Sequence, residues 1–263
     1  MSHPVLSRRA FLSAGSVGAS SLLLAGCDRF DFLGNDESRV RRVLAGTNTL
    51  TYRIQRALLG DTLAREYEET EIRQGQRPNG SADPQTPEFL ALKENGFTSY
   101  RLRIGGLVER PTELSLDELR NMPARSQITR HDCVEGWSCI AKWTGVPLAF
   151  LLDQVRVKPE VRFAVFHCFD NIGGGLAAPV SYYESCDLFD ARHPQTILAY
   201  GLNGAALPVP NGAPLRVRIE RQLGYKMAKY LHTIELASSL AGFGGGQGGY
   251  WEDSAGYDWY GGI

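Results

Sequence analysis

No cysteine in this chain has a second cysteine at CxxC spacing, and CxxCH does not occur. Those absences exclude covalently attached c-type haem and an iron–sulfur cysteine set on this chain. A basic excess is also missing. Formal net charge is −1, which argues against a nucleic-acid binder. No self-similarity recurs at a solenoid period. What remains is a globular composition of 263 residues, 43% hydrophobic and 22% charged, enough for one large domain or two small ones. Glycine is abundant at 29 residues, and many of them sit near the C-terminus.

The first residues read as an address rather than as fold. Ser7-Arg8-Arg9-Ala10-Phe11-Leu12 is a twin-arginine pattern. The weakly apolar run behind it is too short, and too broken by small residues, to span as a stable helix. It ends in Leu24-Ala25-Gly26-Cys27, which resembles a bacterial lipoprotein cleavage site. Cleavage there would leave Cys27 as a lipidated first residue, with Asp28 behind it favouring the inner membrane. Plain small-residue cleavage is the alternative. Twin-arginine export carries folded proteins, so the signal points to a cofactor acquired before export and to a periplasmic location. The oxidising compartment permits disulfides, and a Cys139–Cys186 pair is one option.

The signal segment is taken as residues 1–26 and a helical extension as 27–72. Val40, Val43, Leu44, Leu50, Ile54 and Leu58 recur at helical spacing over 38–72, with Gly60-Asp61 as a break before Leu63, Tyr67 and Ile72. A main domain is expected over 73–240. Arg73 to Pro87 is a Gly- and Pro-punctuated loop. Tyr100, Leu102 and Ile104 alternate as a strand. Ser115 and Glu118 form a capping box before a helix over Leu116–Met122, and Ser126 to Cys133 reads as a strand. Trp143 to Pro147 reads as a turn into a helix whose buried face is Leu148, Leu151, Leu152 and Val155. Strands follow over Val161–Phe169, Thr196–Tyr200, Leu215–Ile219 and Tyr230–Leu236. Ser181 and Glu184 read as a second capping box, and Asn203-Gly204 as a hairpin turn. The tail, 241–263, is Gly-rich and is expected to form no regular element, although its aromatics can pack onto a surface or partner. The sum is α+β: mixed β-sheets with short helices and long loops.

One stretch stands out as chemistry: Arg130-His131-Asp132-Cys133-Val134-Glu135-Gly136-Trp137-Ser138. Together with Ala141-x-Trp143-x-Gly145-Val146-Pro147-Leu148 it resembles the molybdenum-ligand segment of the sulfite oxidase family. The resemblance is strongest to the bacterial periplasmic branch that includes the catalytic subunit of protein methionine sulfoxide reductase. Asn211-Gly212-Ala213-Pro214-Leu215-Arg216 and Gly224-Tyr225-Lys226-Met227-Ala228-Lys229 match the same branch in the same order.

The resemblance implies a molybdopterin-binding fold and a molybdenum–molybdopterin cofactor, with Cys133 as metal ligand and catalytic centre. A soft thiolate suits that metal. A lone cysteine otherwise reads as buried apolar filler. Arg216 and Lys229 are expected at the cofactor phosphate. Lys226, the backbone of Met227 and Ala228, and Asn211 are expected nearby. Asn211 read alone is a turn residue before Gly212. Arg77, Asn79 and Gly80 resemble an early cofactor loop, with a plain Pro-Asn-Gly turn as the competing reading. Cys168 aligns with a pterin-contacting position, whereas its neighbour His167 reads as a core histidine. His131 and Asp132, with Glu135, flank the ligand as catalytic candidates for proton transfer, against plain structural hydrogen bonding. The Arg and Tyr cluster that binds sulfite in other members has no residue-by-residue match here.

The expected activity is two-electron oxygen-atom transfer on a small or protein-bound sulfur or N/S-oxide substrate. Electrons would pass singly to or from a membrane haem or another electron-transfer partner. Two alternatives stand beside it: a lipoprotein binding module without turnover, and an exported thiol enzyme with Cys133 as nucleophile.

Overall fold

Among the described residues, the alternating stretches become ten strands in two sheets. The computed structural model describes residues 39–60, 62–73, 75–172 and 180–263. The twin-arginine segment, Cys27 with Asp28, and Gly173-Gly174-Gly175 lie outside the described residues. The first sheet holds β1 (Arg101–Gly106), β2 (Thr112–Ser115), β5 (Phe163–Ile172), β6 (Val180–Asp187) and β10 (Leu231–Ala237), in the order β2-β1-β10-β5-β6. Strand β10 is parallel to β1, with Arg103 opposite Thr233, and antiparallel to β5. The second sheet holds β3 (Arg125–Cys133), β4 (Trp137–Pro147), β7 (Ile197–Leu202), β8 (Ala205–Ala206) and β9 (Arg216–Arg218). Its order is β3-β4-β7-β8, with β9 pairing β7.

Helices are short beyond the first: α1 (Arg39–Leu59), α2 (Pro87–Glu94), α3 (Leu116–Arg120), α4 (Leu148–Val155), α5 (Leu188–Ala191) and α6 (Tyr250–Ala255). No helix among the described residues is long and apolar enough to cross a membrane. Helix α3 begins at the expected capping box. Ser115 Oγ accepts from Glu118 N at 3.1 Å, and Glu118 Oε2 accepts from Ser115 N at 2.7 Å, a cap of about 1 kcal/mol. Helix α4 buries Leu148, Leu151, Leu152 and Val155, each contributing about 1.5–3 kcal/mol. They join Leu102 and Ile104 of β1 and Ile234 and Leu236 of β10 in the main core. A smaller cluster surrounds Trp143, Ile197 and Leu207.

Four local expectations are corrected. The helical reading of 38–72 holds only to Leu59. Gly60 takes φ +38°, and the chain beyond it has no regular structure over 62–68 before a 3-10 turn at Glu69–Glu71. Tyr67 N donates to Ile128 O at 2.9 Å and Arg73 N to Ile140 O at 3.1 Å. Hydrogen bonding to β3 and β4 thus overrides a helical spacing of apolar residues.

Trp143 to Pro147 is strand, not turn, and completes β4. Its register shifts between Thr144 and Gly145. A Cβ on Gly145 would run into the Leu198 carbonyl, so the close approach of β7 requires glycine there. Ser181 and Glu184 lie on β6 rather than capping a helix; helix α5 is capped instead by Asp187, whose side chain accepts from Asp190 N at 2.8 Å. The tail does form a helix, α6.

The Asn203-Gly204 hairpin forms between β7 and β8, with φ +50° and +81°. Cys139 on β4 and Cys186 on β6 are both free thiols, so the disulfide option is not taken up. Residues 59–263 form one compact unit, which includes the tail.

Candidate functional site

Cys133 is the last residue of β3 and pairs with Trp137, the first of β4. The intervening turn closes through Gly136 at φ +84°, whose N–H donates to Cys133 O at 3.1 Å. The thiol is therefore held at the tip of a hairpin, half-buried. It faces a cavity of about 230 Å³, which Val134 and Glu135 also line. Asn79, Gly80 and Ser81 bring the 75–86 loop to its wall, and Asp170 arrives from β5. Gly224, Tyr225, Met227 and Lys229 come from the segment before β10. Ile172, Tyr182, Trp251 and Tyr257 complete it.

Positive charge gathers behind this cavity. The Lys229 ammonium donates to the carbonyls of Ser81 and Pro210, and no carboxylate pairs with it among the described residues. Burial, then the neighbouring Arg216, pushes it down to a pKa of about 7. Arg216 is buried and gives its terminal N–H groups to Asn211 O (2.8 Å) and Met227 O (3.2 Å), while its Nε has no partner. Burial, then Arg218, pushes it down to about 9. Gly212, at φ +114°, lets the two cations pack: a Cβ there would lie 3.1 Å from the side-chain carbons of both Arg216 and Lys229. Arg218 is compensated by Glu220 at 2.7 Å. It also donates to Nδ1 of His131, whose Nε2 is buried without a partner. Burial, then Arg218, Arg216 and Lys229, holds His131 well below the usual histidine range.

Two acidic groups face the same space. Asp170 takes a hydrogen bond from Ser81 Oγ on Oδ2 (2.7 Å), and its buried Oδ1 has none. Burial raises its carboxyl above the ordinary range. Glu135 is more exposed and accepts from Trp137 Nε1 at 2.9 Å.

These residues fit the cofactor implied by the resemblance. Two buried cations without a hydrogen-bonded carboxylate among the described residues, and an orphaned guanidinium N–H, suit an anionic phosphate. Among the described residues no three His, Cys, Asp or Glu side chains gather as a metal-binding group. A metal here would take Cys133 as its protein ligand and draw its other donors from a non-protein group, as a pterin dithiolene provides. Burial raises the Cys133 thiol above its ordinary pKa, so the metal itself would have to hold it as thiolate.

The expected residues separate into two groups. Cys133, Asn79, Gly80, Met227 and Lys229 line the cavity, and Arg216 stands behind Lys229. Asn211 donates to Gln76 O at 3.4 Å beside them. Ala228 is buried in the main core, and its carbonyl accepts from Val217 N at 2.8 Å.

The others are not among the lining residues. Asp132 pairs with Arg130 at 2.9 Å. Arg77 lies on the surface over the Trp137 ring, 5.3 Å from its centroid, with its guanidinium 3.8 Å from the carboxylate of cavity-lining Glu135. Cys168 sits in the main core, where burial pushes its thiol well up. The Lys226 ammonium is fully buried between Glu184 and Glu252, 2.6 Å from the latter, so its charge is spent on carboxylates. Ser81, Asp170, Trp251 and Tyr257 were not singled out as site residues by sequence reasoning. They come from three separated stretches, and only the aromatic richness of the tail hinted at any of them.

A family model for the oxidoreductase molybdopterin binding domain matches residues 90–241. The chain is 39% identical over 171 residues to the putative protein-methionine-sulfoxide reductase subunit YedZ1 of Azospira oryzae, covering 65% of this chain and 59% of that protein. It is 33% identical over 161 residues to the protein-methionine-sulfoxide reductase catalytic subunit MsrP of Xanthomonas axonopodis pv. citri, covering 59% and 50%. The match to MsrP of Ralstonia nicotianae is 37% over 143 residues, covering 52% and 43%. The chain thus spans about half the length of the curated relatives it matches. A solved structure of the sulfane dehydrogenase SoxCD from Paracoccus pantotrophus aligns at a TM-score of 0.47 and 23% identity, over 54% of this chain and 39% of that one.

Proposed function

This chain belongs to the molybdopterin-binding oxidoreductases of the sulfite oxidase type, and on that basis we propose that it removes the oxygen atom from organic sulfoxides, the oxidised methionine side chain foremost. The reading is carried by the convergence of Cys133, Lys229 and the unpartnered Oδ1 of Asp170 on one cavity. The names of the relatives support the choice of sulfoxide.

In this reading Cys133 ligates molybdenum. Lys229 and Arg216 would hold the pterin phosphate, with Asn211 and the backbone of Met227 and Ala228 beside them. Asn79 and Gly80 bound the pterin on the loop side. The cofactor, when bound, would supply the two-electron redox chemistry for oxygen-atom transfer. The sulfoxide gains two electrons and two protons and leaves as sulfide and water. Asp170, whose buried Oδ1 faces the cavity without a partner, is placed to relay a proton there, and Glu135 at the hairpin tip passes protons from solvent. His131 serves as a positioning residue, kept neutral behind the metal ligand. Electrons arrive one at a time from a membrane haem or similar partner, and the subunit name of the Azospira relative supports a partnered system. The twin-arginine segment and Cys27 support export, with an inner-membrane lipid anchor.

The alternative of a nucleophilic thiol needs a depressed thiol pKa, and burial acts on Cys133 in the opposite sense. The test is protein folded in a molybdenum-replete cytoplasm, assayed for metal and for viologen-driven reduction of methionine sulfoxide. The expected result is one molybdenum per chain and turnover. In Cys133→Ser the metal-centred electron resonance signal should be lost. A fully loaded protein that ignores sulfoxides and oxidises sulfite would overturn the substrate assignment.

A further inference from the structure

The family model ends at residue 241, yet two residues beyond it, Trp251 and Tyr257, line the cavity that holds Cys133. Their rings are stacked, with centroids 5.8 Å apart and planes at 25°. Tyr225 meets Tyr257 edge-on at 5.2 Å. Tyr182 and Tyr225 line the same cavity, but their hydroxyls are committed to backbone. Tyr182 donates to Tyr225 O at 2.8 Å and Tyr225 to Asp258 O at 2.6 Å. This side of the cavity is therefore built largely of ring carbon.

The segment that carries the wall is fastened, not draped. Lys226 bridges Glu184 of β6 and Glu252 of α6, with all three side chains almost wholly buried. Asp253 accepts from the Tyr183 hydroxyl, from Gly245 N at 2.7 Å and from Gln247 N at 3.0 Å. Trp259 Nε1 donates to Ser185 Oγ at 2.9 Å. Leu223 N donates to Gly261 O at 2.8 Å, and Ile263 N to Arg221 O at 3.0 Å. A tail tied at both ends holds its aromatics in one position, which is what selective binding requires.

We propose that the Trp251–Tyr257 pair is the substrate-selecting wall of this site, holding the methyl–sulfur end of a neutral organic sulfoxide in the cavity with Cys133. The proposal rests on the sulfoxide reading above and names the residues that discriminate. Sulfur and its attached methyl groups are favoured against aromatic rings. A sulfite-like anion is disfavoured there, because ring faces carry negative charge density. Tyr257 is 38% exposed, so the wall reaches the surface, where a methionine sulfoxide side chain on a protein could enter.

The test uses molybdenum-loaded holoenzyme and a methionine-sulfoxide peptide. Wild type, W251A, W251F and Y257A are compared by steady-state reduction with an artificial donor, by calorimetric peptide binding and by metal content. W251A should raise KM and weaken peptide binding about tenfold, the reach of a sulfur–aromatic contact, with kcat and molybdenum little changed. W251F, which keeps a ring, should recover most of the loss. KM and binding unchanged in both W251A and Y257A, at full metal loading, would overturn the proposal while leaving the sulfoxide reading intact. A loaded wild type that neither binds nor reduces the peptide overturns both. Loss of molybdenum in W251F as well as W251A would assign the ring to the fold and overturn the wall.

Discussion

The guanidinium of Arg218 donates to Nδ1 of His131 across 2.8 Å. Arginine has no acceptor, so the bond fixes the imidazole as the neutral tautomer with its proton on Nε2. That nitrogen faces Gly224, where a Cβ would lie 2.6 Å from it. The residue two before the proposed metal ligand is thus locked from both sides.

Replacing Gly224 by alanine should displace the imidazole and destabilise the fold by about 1–3 kcal/mol, the usual cost of overpacking. Chemical denaturation measures it. An unchanged midpoint would show that the ring has room to move.

The two perturbed histidines set an acid limit on stability. His131 is held well below 6.5, and His232 is pushed down to about 4 by burial, then by His167 and Arg103. Unfolding lets both take up a proton below pH 6.5. Their contribution is therefore complete above 6.5 and is lost as pH falls from there towards 4, by up to about 1.4 kcal/mol per pH unit for each proton. A midpoint that stays flat from pH 7 to 5 would contradict it.

Lys229 gives a separate signature in cofactor-free protein. With its pKa lowered to about 7 by burial and Arg216, the ammonium loses charge as pH rises through 7. Sulfate, which does not titrate in this range, should bind more weakly above pH 7 than below it. Lys229→Gln should abolish that dependence and lower pterin retention about ten- to a hundredfold, the worth of a charge-assisted hydrogen bond. Retained pterin fluorescence at wild-type levels in the variant would contradict the role.

Cys133 should behave as a poor nucleophile without metal. Its thiol is raised by burial and by the Glu135 charge. Alkylation of the cofactor-free protein should be slow at pH 7 and quicken with each pH unit beyond 9, and metal-loaded protein should resist it. Rapid labelling at pH 7 would instead favour the thiol-enzyme reading.

Removing the Lys226 charge should loosen the tail. Lys226→Met leaves Glu184 and Glu252 buried without their shared cation, at a cost of about 3–5 kcal/mol. Limited proteolysis should then cut between Gly242 and Gly249 faster than in wild type. Equal cutting rates would show that the remaining contacts suffice.

Much of the fold was legible because its signals are local. Alternation gave β1, β3, β5 and β10, the Ser115–Glu118 pair gave the start of α3, and Asn203-Gly204 gave a hairpin. The same grammar misled at Ser181 and Glu184, where capping-box spacing falls on a strand. Glu184 is acidic there for Lys226, 42 residues away, and no local pattern reveals a partner at that distance. The helical spacing beyond Gly60 failed for a similar reason, since backbone pairing with β3 and β4 outweighs propensity. In the site, Cys133 and Lys229 were readable from their motifs. Asp170, Trp251 and Tyr257 were not, because tertiary placement alone brings them to the cavity.

The strand order β2-β1-β10-β5-β6 has a consequence for biosynthesis. The last strand among the described residues is the central one of its sheet, so the β1–β2 and β5–β6 pairs cannot be joined into one sheet until residues 231–237 have left the ribosome. The sheet must close after synthesis of this stretch, through long-range pairing that is slow. A nascent chain would thus keep its central seam open until then, and the cavity that holds Cys133 would stay incomplete until Trp251 and Tyr257 follow.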